Sequence, residues 1–311
     1  MKIYRMKEKK LISLLVYLYN NENAILEFLQ MIIQQTDALF EQFEIIIVND
    51  FSTDNSIQKI KSADFLKPFQ VSIIQMSFHQ GVELSMNAAL DLSTGDFVYE
   101  FDSVIMDFDK NLIEQSYRKI LEGYDIVSVS PTLSEKTTSR FFYRTYNYFS
   151  KSDYKLRTDR FRILSRRAIN RAFSISVKLP YRKAMYSNSG LKIATIEFRK
   201  SNQLRNITEK SYLRKKTAID TLIIYTNLAF TVSVTISLLL MFCTIGILVY
   251  TMFIYFGKDK PIEGWTTIML LLSGCFSGLF LLTTIIIKYL SVILELVFKK
   301  KSYIQENIEK I

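Results

Sequence analysis

The chain has 311 residues, 49% of them apolar and 23% charged, with a formal net charge of +10. That length suits one large domain plus a smaller element, and without a helix-turn-helix, zinc-finger or RNA-binding signature the charge points to an anionic membrane surface, with no nucleic acid partner. A single histidine, His79, and two cysteines inside apolar stretches, Cys243 and Cys275, exclude a structural zinc site and a disulfide framework.

The N-terminus, MKIYRMKEKKLISLLVYLYNNEN, starts basic but holds only a short apolar run with no small-residue cleavage site. Residues 11–18 therefore read as a first strand, not a signal peptide. Helical spacing follows over 20–36, with Ile25, Phe28, Leu29 and Ile32 on one side. Residues 43–48 (FEIIIV) are β-branched and apolar, as a central parallel strand should be. Residues 49–56 form a polar turn that opens a helix. A strand over 71–76, a helix over 85–92, a strand over 97–101 ending at Asp102 and a strand over 125–129 complete the alternation. Strand-helix alternation predicts an α/β, doubly wound sheet, whose ligands bind beyond the carboxyl ends of the strands. The polar clusters at 49–54 and at Asp102 lie at such ends.

Charge vanishes over 228–256 and again over 266–287, each long enough to cross a hydrocarbon core. A short loop, 257–264, and Trp265 separate the two stretches. Arg214, Lys215 and Lys216 precede the first span and Lys299, Lys300 and Lys301 follow the second. The positive-inside rule then puts both termini in the cytoplasm and the loop outside, as a multi-pass protein of the plasma or inner membrane. The expected organisation is a soluble domain over 1–220, a membrane domain over 221–298 and a basic tail over 299–311.

Several ordered motifs carry a resemblance. LLVYLYNNENAILEFL is similar to a first strand followed by a Y-N-E-x-E helix start, through Tyr19, Asn20 and Glu22. EIIIVNDFSTDNS is similar to the nucleotide-binding pattern V-D-D-G-S-x-D-x-S, retaining Asp50, Ser52, Asp54 and Ser56. Gly81, the run 87–90 and Gly95-Asp96 follow, then Gly123-Tyr124-Asp125, then Phe161-Arg162-Ile163-Leu164-Ser165-Arg166 in the manner of F-R-L-x-S-R. Arg205, Lys210-Ser211-Tyr212 and the tail KYLSVILELVFKKKSYIQENI close the series. In this ordered set the chain resembles the membrane-anchored family 2 glycosyltransferases, the dolichol-phosphate mannose synthase-like enzymes that use polyprenyl phosphate.

The resemblance implies a GT-A fold with a mostly parallel, Rossmann-like sheet, followed by two C-terminal transmembrane helices. It implies a nucleotide-sugar donor, a polyprenyl-phosphate acceptor for cell-envelope glycan synthesis, contact with membrane lipid and assembly as a homo-oligomer. Tyr19, Asn20, Glu22, Asp50, Ser52 and Gly81 would hold the donor, although Asp50 and Asp54 also suit capping of the next helix. Asp102, Arg162 and Arg166 would serve catalysis, with Arg162 and Arg205 on the acceptor phosphate; attraction to lipid headgroups is the alternative for these arginines. Asp102 matches the first aspartate of the family's D-x-D pair for Mg²⁺ or Mn²⁺, whereas Val104 stands at the second. Glu100 shares the strand face of Asp102, and Asp107 and Asp109 read as loop residues. Asn49, Phe51, Tyr17, Pro131 and Arg160 also depart from the family pattern, with Asp159 displaced by one from the acid before F-R-L. A catalytically degenerate relative that scaffolds another membrane glycosyltransferase is the alternative reading.

Overall fold

The computed structural model describes residues 7–132, 137–150, 154–175, 181–199 and 305–310, together with isolated residues between 231 and 289. Among them, eight strands form one sheet: β1 (Glu8–Leu18), β2 (Phe40–Asn49), β3 (Gln70–Met76), β4 (Phe97–Phe101), β5 (Ile126–Pro131), β6 (Phe161–Ser165), β7 (Ile193–Phe198) and β8 (Gln305–Lys310). Their order across the sheet is β7-β5-β6-β4-β1-β2-β3-β8. β1 to β4 run parallel, and β6 enters antiparallel between β4 and β5. The last seven residues of β1 are all buried, which suits a central strand covered on both faces.

The helices between strands bury one stripe each. α1 (Ile25–Leu39) buries Ile25, Phe28, Leu29, Ile32, Ile33 and Thr36, a one-sided helical spacing. It begins five residues later than the periodicity predicts. Asn20 sits at φ +49, outside the helical region, and the backbone N–H groups of Asn20, Asn21 and Glu22 bond to Ser52, Ser56 and Asp54 instead. α2 (Ser56–Lys61), α3 (Val82–Leu92) and α4 (Leu112–Leu121) follow, then α5 (Thr137–Phe149), α6 (Arg166–Ile175) and α7 (Arg182–Ser187). α4 to α7, β6, β7 and β8 are not among the elements expected from the sequence.

The chain divides into two compact units, Met1–Thr221 with Lys300–Ile311, and Leu222–Lys299. The segment read as a basic tail returns to the first unit, where β8 pairs antiparallel with β3 along the sheet edge. About half of the two expected spans, 228–256 and 266–287, lies outside the described residues. Among the described residues, no helix is long and apolar enough to cross a membrane. Those described within the two stretches are helical and expose large apolar side chains, including Phe242 and Phe253. The hydroxyls of Thr235, Thr244 and Thr283 donate to carbonyls four residues back. Cys243 and Cys275 are free thiols there, with no disulfide between them.

Gly95 joins α3 to β4 where no side chain fits, since a Cβ would lie 2.6 Å from the Ser13 backbone nitrogen and 2.9 Å from the Ile12 carbonyl carbon. Gly95→Ala should therefore force backbone movement in β1 and cost about 2 kcal/mol or more. The check is thermal or urea unfolding of the full chain in detergent; an unchanged midpoint would refute the close approach.

Candidate active site

The C-terminal ends of β1, β2 and β3 carry loops that are tied to one another. Asn20 accepts the Thr53 N–H at 2.8 Å, Glu22 accepts the Asn55 N–H at 3.0 Å, and Asp54 accepts the Glu22 N–H at 2.9 Å. Asp50 lies fully buried beneath these loops. Its carboxylate accepts from Tyr17 Oη at 2.8 Å, from the backbone N–H groups of Gln80 at 2.7 Å and Gly81 at 2.8 Å, and faces His79 Nδ1 at 2.9 Å. Gly81 adopts φ +89, a conformation suited to glycine, so the chain can turn over the carboxylate into α3. Tyr19 stacks on the His79 ring at a centroid distance of 4.0 Å. The expected donor residues Tyr19, Asn20, Glu22, Asp50, Ser52 and Gly81 thus share one edge, where Asp50, Asn20 and Ser52 already bind other loops. Phe51, at the position of the family's glycine, holds φ +62 with its ring half exposed.

Beside these loops, two carboxylates and two guanidinium groups close a buried ionic ring. Register sets Glu100 of β4 opposite Arg162 of β6. Arg162 donates from Nη1 to Glu100 Oε2 at 2.8 Å and from Nη2 to Asp102 Oδ2. Arg182, at the start of α7, donates from Nη1 to Glu100 Oε1 at 2.8 Å and from Nη2 to Asp102 Oδ1 at 2.6 Å. Each arginine therefore bridges both acids. Glu83 accepts the Arg182 Nε–H and backbone N–H, both at 3.0 Å, and Asp159 accepts the Arg162 Nε–H at 3.0 Å and pairs with Lys183. Tyr186 donates to Glu100 at 3.1 Å and lies under the Arg162 guanidinium. Both guanidinium groups are almost wholly buried, whereas the Asp102 side chain keeps 20% of its surface. Burial acts to raise the Asp102 carboxyl, but Arg162, Arg182 and Lys183 outweigh it and hold the group well below the usual carboxylate range.

The structure brings Asp102 and Arg162 together and leaves Arg166 elsewhere. Because β6 runs antiparallel to β4, Phe161 lies opposite Phe101 and Ser165 opposite Phe97, at the other end of the strand. Arg166 follows Ser165 and donates to the Gly95 carbonyl, on the opposite edge of the sheet from Asp102. Its grouping with the catalytic residues is corrected by that direction of β6. Asp107 is no solvated loop residue: it is fully buried and receives two bonds from Arg160, each at 2.6 Å. Arg205 lies outside the described residues. Sequence reasoning missed Arg182, Lys183, Tyr186 and Glu83. One signal was available, since an acid inside the apolar strand FVYEF demands a cationic or hydrogen-bonding partner.

A shallow cleft adjoins the ring, lined in part by Arg157, Asp159, Arg162, Lys183 and Tyr186. The divalent cation that the resemblance implies fits these residues poorly. Both Asp102 oxygens are taken by guanidinium groups, Val104 is buried in the apolar core, and no group of three or more His, Cys, Asp or Glu is arranged for a metal ion among the described residues.

The sequence profile described as Glycosyl transferase family 2 matches residues 13–189. A curated relative from Bacillus subtilis (strain 168), named Uncharacterized glycosyltransferase YkcC, is 26% identical over 278 residues, spanning 87% of this chain and 85% of that protein. An undecaprenyl-phosphate 4-deoxy-4-formamido-L-arabinose transferase of Proteus mirabilis is 27% identical over 119 residues, 37% of this chain and only 35% of that transferase. Among solved structures, glucosyl-3-phosphoglycerate synthase from Mycobacterium tuberculosis, in complex with Mn²⁺ and uridine-diphosphate-glucose, superposes with a TM-score of 0.51 at 15% identity. That match covers 70% of this chain and 79% of the synthase and shares the GT-A fold.

The ring makes two predictions. Arg182→Ala leaves Glu100 and Asp102 to share one guanidinium and takes the ion-pair partner from Glu83; it should cost about 3–5 kcal/mol, read by unfolding in detergent, and a loss below about 1 kcal/mol would show the ring to be weakly coupled. Because the folded Asp102 carboxyl sits below its unfolded value, its stabilisation is complete above the ordinary aspartate pKa of about 3.9 and is lost as pH falls through the folded value. The unfolding midpoint of the wild type should therefore drop in the acid range more steeply than that of Asp102→Asn. Parallel curves for the two proteins would overturn the assignment.

Proposed function

This chain belongs to glycosyl transferase family 2, and from that premise we propose that it moves a sugar from a nucleotide-sugar donor to polyprenyl phosphate or a related lipid-linked acceptor. The observation that carries this reading is the juxtaposition of the tied loops at the ends of β1 to β3 with Asp102 at the end of β4. The likeness to an undecaprenyl-phosphate transferase supports the acceptor class.

The reaction asks for little proton chemistry. A lipid phosphate is already anionic, so its oxygen attacks the anomeric carbon directly as the bond to the nucleoside diphosphate breaks, and the leaving diphosphate takes the electron pair. The protein's work is to align the two and to spread charge. In this reading Tyr19, Asn20, Glu22 and Ser52 line the donor side, with Asp50 and Gly81 holding the loop over it. Asp102 keeps a fifth of its side-chain surface exposed, with its orientation set by Arg162 and Arg182. Arg205 is the proposed partner of the acceptor phosphate; Arg162 acts through Asp102, because its own donors are occupied by carboxylates.

A membrane location supports such an acceptor. The described helical residues of 231–289 expose apolar side chains, and their threonine hydroxyls bond inward to the helix, as a lipid environment requires. The chain leaves the first unit near Thr221 and rejoins it by Lys300, which suits an even number of crossings. With the basic flanks, this reading has the sheet domain and both termini cytoplasmic.

Full-length protein in detergent, given a panel of UDP- and GDP-sugars and polyprenyl phosphate, should yield a glycolipid detectable by mass spectrometry. Asp102→Asn should lower turnover by about 100-fold, in the range seen when one electrostatic group is removed from an active site. No product across the panel would sink the reading. Nucleotide binding without turnover would favour a binding role beside another membrane glycosyltransferase.

A further inference from the structure

We infer that Asp102 holds no divalent cation in this chain: Arg162 and Arg182 already hold both of its carboxylate oxygens, and donor binding is independent of Mg²⁺ and Mn²⁺. The inference rests on the proposal above that this chain takes a nucleotide-sugar donor.

A hard cation asks for oxygen ligands with lone pairs free to meet it at about 2.0–2.2 Å. Each carboxylate between residues 100 and 109 already serves a donor of the protein. Glu100 is fully buried with both oxygens on arginines. Asp102 gives one oxygen to each arginine. Asp107 receives both arms of Arg160, and Asp109 accepts the Asn111 N–H at 2.9 Å ahead of α4. The second position of the metal motif, Val104, is 1% exposed within the apolar core. A lone aspartate there would gain a ligand only by burying a carboxylate in hydrocarbon.

The arginines also resist displacement. Each one bridges Glu100 and Asp102, so an ion that pulled Asp102 away would leave buried guanidinium groups short of a partner. Their two positive charges already balance those of Glu100 and Asp102, so the pair of acids offers an incoming divalent ion no uncompensated charge. Asp102 is then a positioning residue, held in one orientation by the two guanidinium groups.

The test uses the full chain in detergent. MnCl₂ is titrated while the paramagnetic resonance signal of free Mn²⁺ is followed, alone and with UDP or GDP, and calorimetry measures UDP and GDP affinity in EDTA and in Mn²⁺. The expected result is no Mn²⁺ held by the chain up to millimolar concentration, with nucleotide affinity equal to within about two-fold in the two buffers. One Mn²⁺ per chain that disappears in Asp102→Asn, or affinity about ten-fold tighter in Mn²⁺, would overturn the inference. If neither nucleotide binds in either buffer, the donor reading fails, while Mn²⁺ retention or its absence still decides the role of Asp102. The affinity comparison uses the unaltered chain alone, so that arm does not depend on the folding of a variant.

Discussion

The closed ring of Glu100, Arg162, Asp102 and Arg182 is the constraint on which the candidate site depends. Two guanidinium groups with almost no exposed surface are costly to bury, and they persist because each finds two acids in the ring and a third outside it. The ring ties together pieces of chain far apart in sequence. Glu100 and Asp102 come from β4 and its end, Arg162 from β6, Arg182 from α7, and Glu83 from the first turn of α3. Removing one member therefore disturbs three elements at once. Tyr186, one turn beyond Arg182 on α7, closes the ring from below by donating to Glu100.

Asp50 plays a comparable part for the neighbouring loops. Its buried carboxylate gathers Tyr17 from β1 and two backbone N–H groups from the approach to α3, so three strand ends share one anchor. That anchoring explains how Phe51 keeps a left-handed backbone, which disfavours a side chain by roughly 1–2 kcal/mol. Asn49 adds to the hold by accepting the Ser52 N–H while donating to Gln75 of β3. The loop edge and the ionic ring are built on the same principle, buried charge satisfied by several donors.

Much of the scaffold was legible in the sequence. Residues 11–18, 43–48, 71–76 and 97–101 read as strands because they are apolar on both faces, and the observed β1 to β4 extend those runs by a few residues at most. α1 was legible from its one-sided stripe, but its start was not, because Asn20 to Glu22 spend their backbone donors on a loop more than 30 residues away. The antiparallel direction of β6 and β8 was not legible, because pairing direction leaves no mark in hydrophobic periodicity.

By itself, the sequence determined the alternation of strand and helix, the polar strand ends at Asp50 and Asp102, and the division between a charged and an uncharged half, since these follow from local pattern and composition. Tertiary structure alone decided that Arg162 joins Asp102 while Arg166, four residues on, faces the other edge of the sheet. It alone brought Arg182 to those acids and to Glu83, 99 residues away along the chain. The physical reason is that an ion pair depends on distance in space, which strand direction and register set, and neither is written in the spacing of residues along the chain.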